Sequence, residues 1–268
     1  MNKICTLLGL SGVMAAPHLF ASMSVTLLDN TSQYSHGVGG EFRAVANSGL
    51  DAVVDWAAYS SQTSGTISHS TDGSSQGYSS GLSGESYFQT FCIEYNESFT
   101  PGTTYSVGIS ETLNPNGTGS AVTVGTAWLY SQFAAGTLNT YSKYGATYNY
   151  SYGSNRSNSA GLMQEAIWWL QGENGGVRTV FVNEVEEALF GSGHDGGIYD
   201  TMIKAAADGE FDVYALDLTG GQDQLVIEAP SSSGSPAPLP EPTTVVAGAL
   251  LLLPLGASAV RILRRKQS

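Results

Sequence analysis

From Val245 to Val260 the chain carries no charged residue, and apolar character resumes at Ile262 and Leu263. At ~1.5 Å per helical residue, positions 245 to 263 reach roughly 28 Å, close to the ~30 Å hydrocarbon core of a bilayer. The run predicts a C-terminal transmembrane helix within residues 243–268. Arg261, Arg264, Arg265 and Lys266 close it as a basic stop. Such residues favour the cytoplasmic side, so the chain ahead of the helix is expected to face outward. Residues 230–242 between the two form a Pro- and Ser-rich hinge. At the other end, Lys3, the apolar run Ile4 to Ala16 and the small residues Ala21 and Ser22 have the order of a secretory signal peptide over residues 1–21.

Both ends therefore predict export, with residues 22–229 as the ectodomain. The order of Pro240-Glu241-Pro242, apolar run and basic end resembles the PEP-CTERM sorting signal of Gram-negative bacterial surface proteins. That resemblance implies an exosortase-type sorting peptidase of the inner membrane as a partner. It also implies a precursor held in that membrane by the C-terminal helix, and a product at the cell envelope, surface or extracellular matrix. An uncut membrane anchor is the alternative reading of the same tail.

Between signal and tail, the five cations Arg43, Lys143, Arg156, Arg178 and Lys204 face all 23 carboxylates, a formal charge of −18. Such a surface repels nucleic acid and anionic headgroups, so no nucleic-acid partner is expected. Low charge density with abundant Gly, Ser, Thr, Asn and Tyr suits an extracellular, largely β structure.

The pattern along the chain predicts an α+β fold: a β-rich core, sandwich or barrel-like, with inserted helices. Short apolar and alternating runs at 24–28, 53–59, 86–95 and 105–109 read as strands. Ser and Gly fill more than half of 60–86, which reads as a flexible excursion. Helical spacing appears at 124–137, 159–172, 179–190 and 198–208. In the second of these Ser159 stands where an N-cap belongs and Gly172 where the helix should stop. The third carries Glu184, Glu186 and Glu187 as an acidic face. Segments 211–218 and 224–229, joined through Gly220-Gly221, read as a β-hairpin.

Of two cysteines, Cys5 leaves with the signal peptide, so Cys92 enters an oxidising compartment unpaired. Helical geometry puts Gln164 on one stripe with Ile167, Trp168 and Gln171, and Leu162, Ala166, Trp169 and Leu170 on another. Either tryptophan can be the buried one. The segments Phe91-Cys92-Ile93-Glu94 and Met163 to Leu170 resemble the paired signatures of the Cys–Gln thioester domains of bacterial surface adhesins. An aromatic residue precedes the Cys there, and a Trp follows the Gln by four.

The resemblance implies a covalent bond between Cys92 and Gln164, with Phe91, Tyr95, Trp168 and Trp169 as walls of its pocket. It implies attachment to a surface or matrix target bearing amine or hydroxyl groups. In such a bond the thiolate displaces ammonia from the carboxamide, and a helix N-terminus near Gln164 would favour the thiolate.

Other functions have thinner support. A noncovalent biofilm or matrix protein, with Cys92 a small buried hydrophobe and Gln164 facing solvent, shares the same tail. An envelope cysteine hydrolase would need a histidine base, and His36, His69 and His194 all lie in Gly- or Ser-rich stretches. His194, Asp195 and Asp200 lack metal-ligand spacing, and there is no phosphate-cradling loop, so neither metal nor cofactor is expected. The tyrosines of 141–152, among them Tyr148, Tyr150 and Tyr152, read as a surface strand. No enzymatic activity is expected.

Overall fold

The computed structural model describes residues 22–28, 35–36, 39–67, 82–111, 120–138, 150–191, 193–194 and 196–230. The predicted signal peptide, the 240–242 motif, the apolar run and the basic stop lie outside them. Among the described residues no helix is long and apolar enough to cross a membrane.

The fold is α+β, with a curled antiparallel sheet and few helices. Strands β1 (Ser24–Leu28), β4 (Phe42–Ala46), β5 (Ser64–Thr66), β6 (Ser86–Thr90), β7 (Thr104–Ser110), β8 (Val213–Leu218) and β9 (Gln224–Ile227) form one sheet in the order β5-β6-β4-β1-β7-β8-β9. A small ribbon pairs β2 (Ser35–His36) with β3 (Gly39–Gly40). The hairpin expected near the C-terminal end is β8 and β9, registered from Val213↔Ile227 to Leu216↔Gln224.

The sheet curls until β9 meets the chain that follows β6. Leu225 N donates to Phe91 O at 3.3 Å, Ile93 N donates to Asp223 O at 3.0 Å, and Cys92 bridges Gln224. Thr90 reinforces this seam, its hydroxyl donating to Leu225 O and accepting from Leu225 N. Cys92 therefore lies on the line where the curl closes.

Among the described residues four α-helices accompany the sheet: α1 (Val124–Ala134), α2 (Arg156–Gln171), α3 (Val180–Phe190) and α4 (Ile198–Ile203). Helix α1 starts where Thr123 Oγ1 accepts from Thr126 N, a side-chain cap that satisfies an otherwise orphan donor. It is buried nearly all round, from Gly125 to Ala134, as befits a helix packed against β8 and the other three helices. Helix α2 stops at Gly172, whose φ of +77° is left-handed; Glu173 N then donates to Trp168 O at 2.8 Å, closing the end in a Schellman-like turn.

An aromatic core lies between helices and sheet. Tyr130 donates to Gln89 O, and Ile227 N donates to Tyr59 Oη, which lies 3.1 Å from Tyr130 Oη. One pair of hydroxyls thus ties α1 to both strands of the seam.

Several local expectations give way to tertiary contacts. Residues 53–59 form a bridge at Val54 and a short 3-10 turn, because the Asp55 carboxylate accepts from Ala57 N and turns the chain. Ser64–Thr66, inside the Ser/Gly-rich excursion, is strand β5, anchored by buried Thr63 and Ile67. Tyr150 is core rather than surface, donating to Glu41 Oε2 at 2.7 Å. Glu184 and Glu186 are buried instead of forming an exposed acidic face; Glu186 pairs with Arg178.

Candidate functional site

The stripe of α2 that faces the seam is the one carrying Gln164 and Trp168. Gln164 is 1 % exposed, Trp168 4 % and Cys92 0 %, so all three are inside the protein. Cys92 clusters with Phe42 and Trp168, and Phe99 packs at the rim. The Phe99 ring stands edge-on to Phe42 at 4.8 Å. Tyr95, exposed, covers Trp168 edge-on at 5.0 Å.

The Gln164 carboxamide docks on the Cys92 peptide. Its Oε1 accepts from Cys92 N at 3.1 Å, and its Nε2 donates to Cys92 O at 2.7 Å. Gly40 N donates to the same Oε1 at 3.3 Å. Two backbone N–H groups thus converge on one carbonyl oxygen, the arrangement that stabilises charge developing on oxygen when a nucleophile adds to its carbon.

The β2–β3 ribbon makes this approach feasible. A Cβ at Gly39 would sit 2.5 Å from Gln164 Cγ, and Gly40 has φ +112°, a conformation that suits glycine. Glu41, fully buried, follows them directly in the chain. Its carboxylate accepts a fork from Arg156, the first residue of α2, with Nε at 2.9 Å and Nη2 on the other oxygen. Burial raises the Glu41 carboxyl, and the Arg156 fork and the Tyr150 hydroxyl oppose that rise.

Sequence reasoning places α2 three residues too late. The helix begins at Arg156 with no side-chain cap from Asn155, and Ser159 instead accepts from Ser151 N. Gln164 consequently lies in mid-helix, and α2 offers no N-terminus to the thiol. Burial pushes the Cys92 thiol up to about 12, so at neutral pH the free sulfur is protonated.

The other pocket candidates point elsewhere. Phe91 packs into the main core, edge-on to Phe133 at 5.0 Å. Trp169 turns to another side of α2, where Lys204 Nζ lies 3.4 Å from its ring centroid, a cation–π contact. Lys143 lies outside the described residues. His194 contacts Gly191 O, His36 is registered opposite Gly39, and His69 lies outside the described residues. Among the described residues no group of three or more His, Cys, Asp or Glu could hold a metal ion.

Sequence reasoning missed Gly39, Gly40, Phe42 and Gln224. The only signal for the glycines is the doublet Gly39-Gly40 itself, and nothing in the sequence ties it to α2. Comparison with protein-family models, with curated proteins and with solved structures found no match.

Proposed function

We propose that the chain is an exported cell-surface or matrix protein that attaches covalently through an acyl thioester between Cys92 and Gln164. The observation that carries this reading is the buried carboxamide of Gln164, paired on both its atoms with the Cys92 peptide. A chance similarity of two short segments gives no reason for those two residues to meet inside the protein.

The chemistry requires little more than enclosure. The sulfur adds to the Gln164 carbonyl carbon, Gly40 N and Cys92 N hold the oxygen, and the nitrogen leaves as ammonia. The product is uncharged, which suits a site whose burial disfavours a thiolate. A target amine or hydroxyl then opens the bond once. Such a single-use electrophile is not an enzyme and needs no cofactor. In this reading the curled sheet is a barrel-like β core with inserted helices, and residues 22–229 form the ectodomain.

The tail completes the proposal. Residues 1–21 act as a signal peptide, and the 243–268 helix holds the precursor in the inner membrane. A sorting peptidase of that membrane then cuts near Pro240-Glu241-Pro242. Mass spectrometry of surface material is expected to find C-terminal peptides ending near Glu241. Finding only protein that retains Arg264 and Arg265 would leave a plain anchor.

Intact mass tests the bond. The purified protein should weigh one ammonia less than its sequence, resist thiol reagents while folded, and regain a free Cys92 with a methylamine adduct on Gln164. Cys92→Ala should abolish the methylamine reaction. Full mass with a readily alkylated Cys92 would replace covalent attachment with a noncovalent matrix role.

A further inference from the structure

Cys92 meets a second glutamine. Gln224 stands directly across the seam, bridged to Cys92 by backbone and fully buried. Its Nε2 lies 3.5 Å from Cys92 Sγ and 3.1 Å from Gln222 O. We infer that Gln224 activates the Cys92 sulfur, its N–H holding Sγ and stabilising the negative charge there both when sulfur attacks Gln164 and when it leaves. This rests on the thioester reading above.

Three features carry the assignment. Gln222 O can only accept, so the amide is oriented with Nε2, not Oε1, toward the sulfur. A donor aimed at sulfur serves a thiolate or a thioester sulfur better than a thiol, whose own hydrogen needs an acceptor. Gln224 Oε1 is buried without a partner among the described residues, a costly state for a residue that only fills space.

The step balances without any co-reactant. On closure the Sγ–Cδ bond to Gln164 forms, the Cδ–Nε2 bond breaks, and the thiol proton goes to the nitrogen that departs as ammonia. On opening by a primary amine, the new N–Cδ bond forms, the Cδ–Sγ bond breaks, and an amine proton returns to sulfur. Negative charge passes through sulfur in both directions, and Gln224 is the side chain whose N–H is aimed at it.

The test compares the purified wild-type protein with Gln224→Leu and the isosteric Gln224→Glu, each checked for folding by thermal unfolding. It reads the fraction lacking one ammonia and the rate of opening by methylamine across pH. Wild type should carry the bond. Gln224→Leu should form and open it about tenfold more slowly or worse, as expected for losing one hydrogen bond to a charged atom. Gln224→Glu should slow opening further as its carboxylate ionises, giving a pH profile that a purely structural role would not produce. If Gln224→Leu does not fold, Gln224→Glu decides. Folded variants with wild-type rates would overturn the role of Gln224 and leave the thioester intact. A methylamine adduct on Gln224 in place of Gln164 would also overturn it. Wild type without the bond would remove the thioester and this inference together.

Discussion

Adding one methyl group at position 39 would place a Cβ 2.5 Å from Gln164 Cγ and 2.7 Å from Trp168 Cη2. Real Cβ atoms do not approach so closely, so either the β2–β3 ribbon or the Gln164 side chain must move. Overpacking of this kind typically costs about 1–3 kcal/mol. Gly39→Ala is therefore expected to lower the thermal midpoint and to leave Gln164 unbonded, read as full intact mass. Gly108→Ala is the matched control, because a Cβ there meets nothing nearer than Asp217 Oδ2 at 3.9 Å. It should leave both measurements unchanged.

One buried ion pair sets the position of α2 against the ribbon. Glu41 follows directly on β3, Arg156 opens α2, and Arg156 Nη2 also donates to Gln62 O at 2.7 Å, ahead of β5. Removing one partner leaves the other charge buried and uncompensated, which costs about 3–5 kcal/mol. Glu41→Ala is expected to destabilise the fold by that order in denaturant titration. A double replacement by apolar residues, Glu41→Leu with Arg156→Met, should cost less than the single change. A double mutant as unstable as the sum of its singles would mean that the pair does not act as a unit. This pair also explains why α2 starts before its apparent serine cap: a fixed guanidinium at position 156 outweighs the weaker local preference at Ser159.

The molecule as a whole is strongly acidic, and several of its carboxyls are buried. Burial, followed by Glu187, pushes Glu184 up to about 8. Burial also raises Asp223 to about 7, against the hydrogen bond its carboxylate accepts from Leu218 N. For each of these the folded state holds its proton at a pH where the unfolded chain has lost it. Stability contributed this way is constant below the unfolded pKa and falls as pH rises toward the folded one. The thermal midpoint is accordingly expected to decline between about pH 4.5 and pH 8. Glu184→Gln should flatten that decline. A midpoint that stays flat across this window would show that these carboxyls ionise freely in the folded protein.

Local periodicity sufficed for much of this protein. Alternation marked β1, β7 and the β8–β9 hairpin, and the left-handed glycine after Gln171 marked the end of α2. Helical spacing put Gln164 and Trp168 on one stripe, since neighbours three and four residues apart share a face whatever the rest of the chain does. The sequence could not choose that stripe over the one holding Trp169. That choice was decided by the seam between β6 and β9 and by the Lys204 ammonium waiting on the other side. Nor could it assign Gly40 N to Gln164 Oε1, Glu41 to Arg156, or Gln224 to Cys92, contacts spanning 124, 115 and 132 positions. Each depends on how far the sheet curls before it closes, and curl is summed over the twist of every strand pair rather than stored in any one segment.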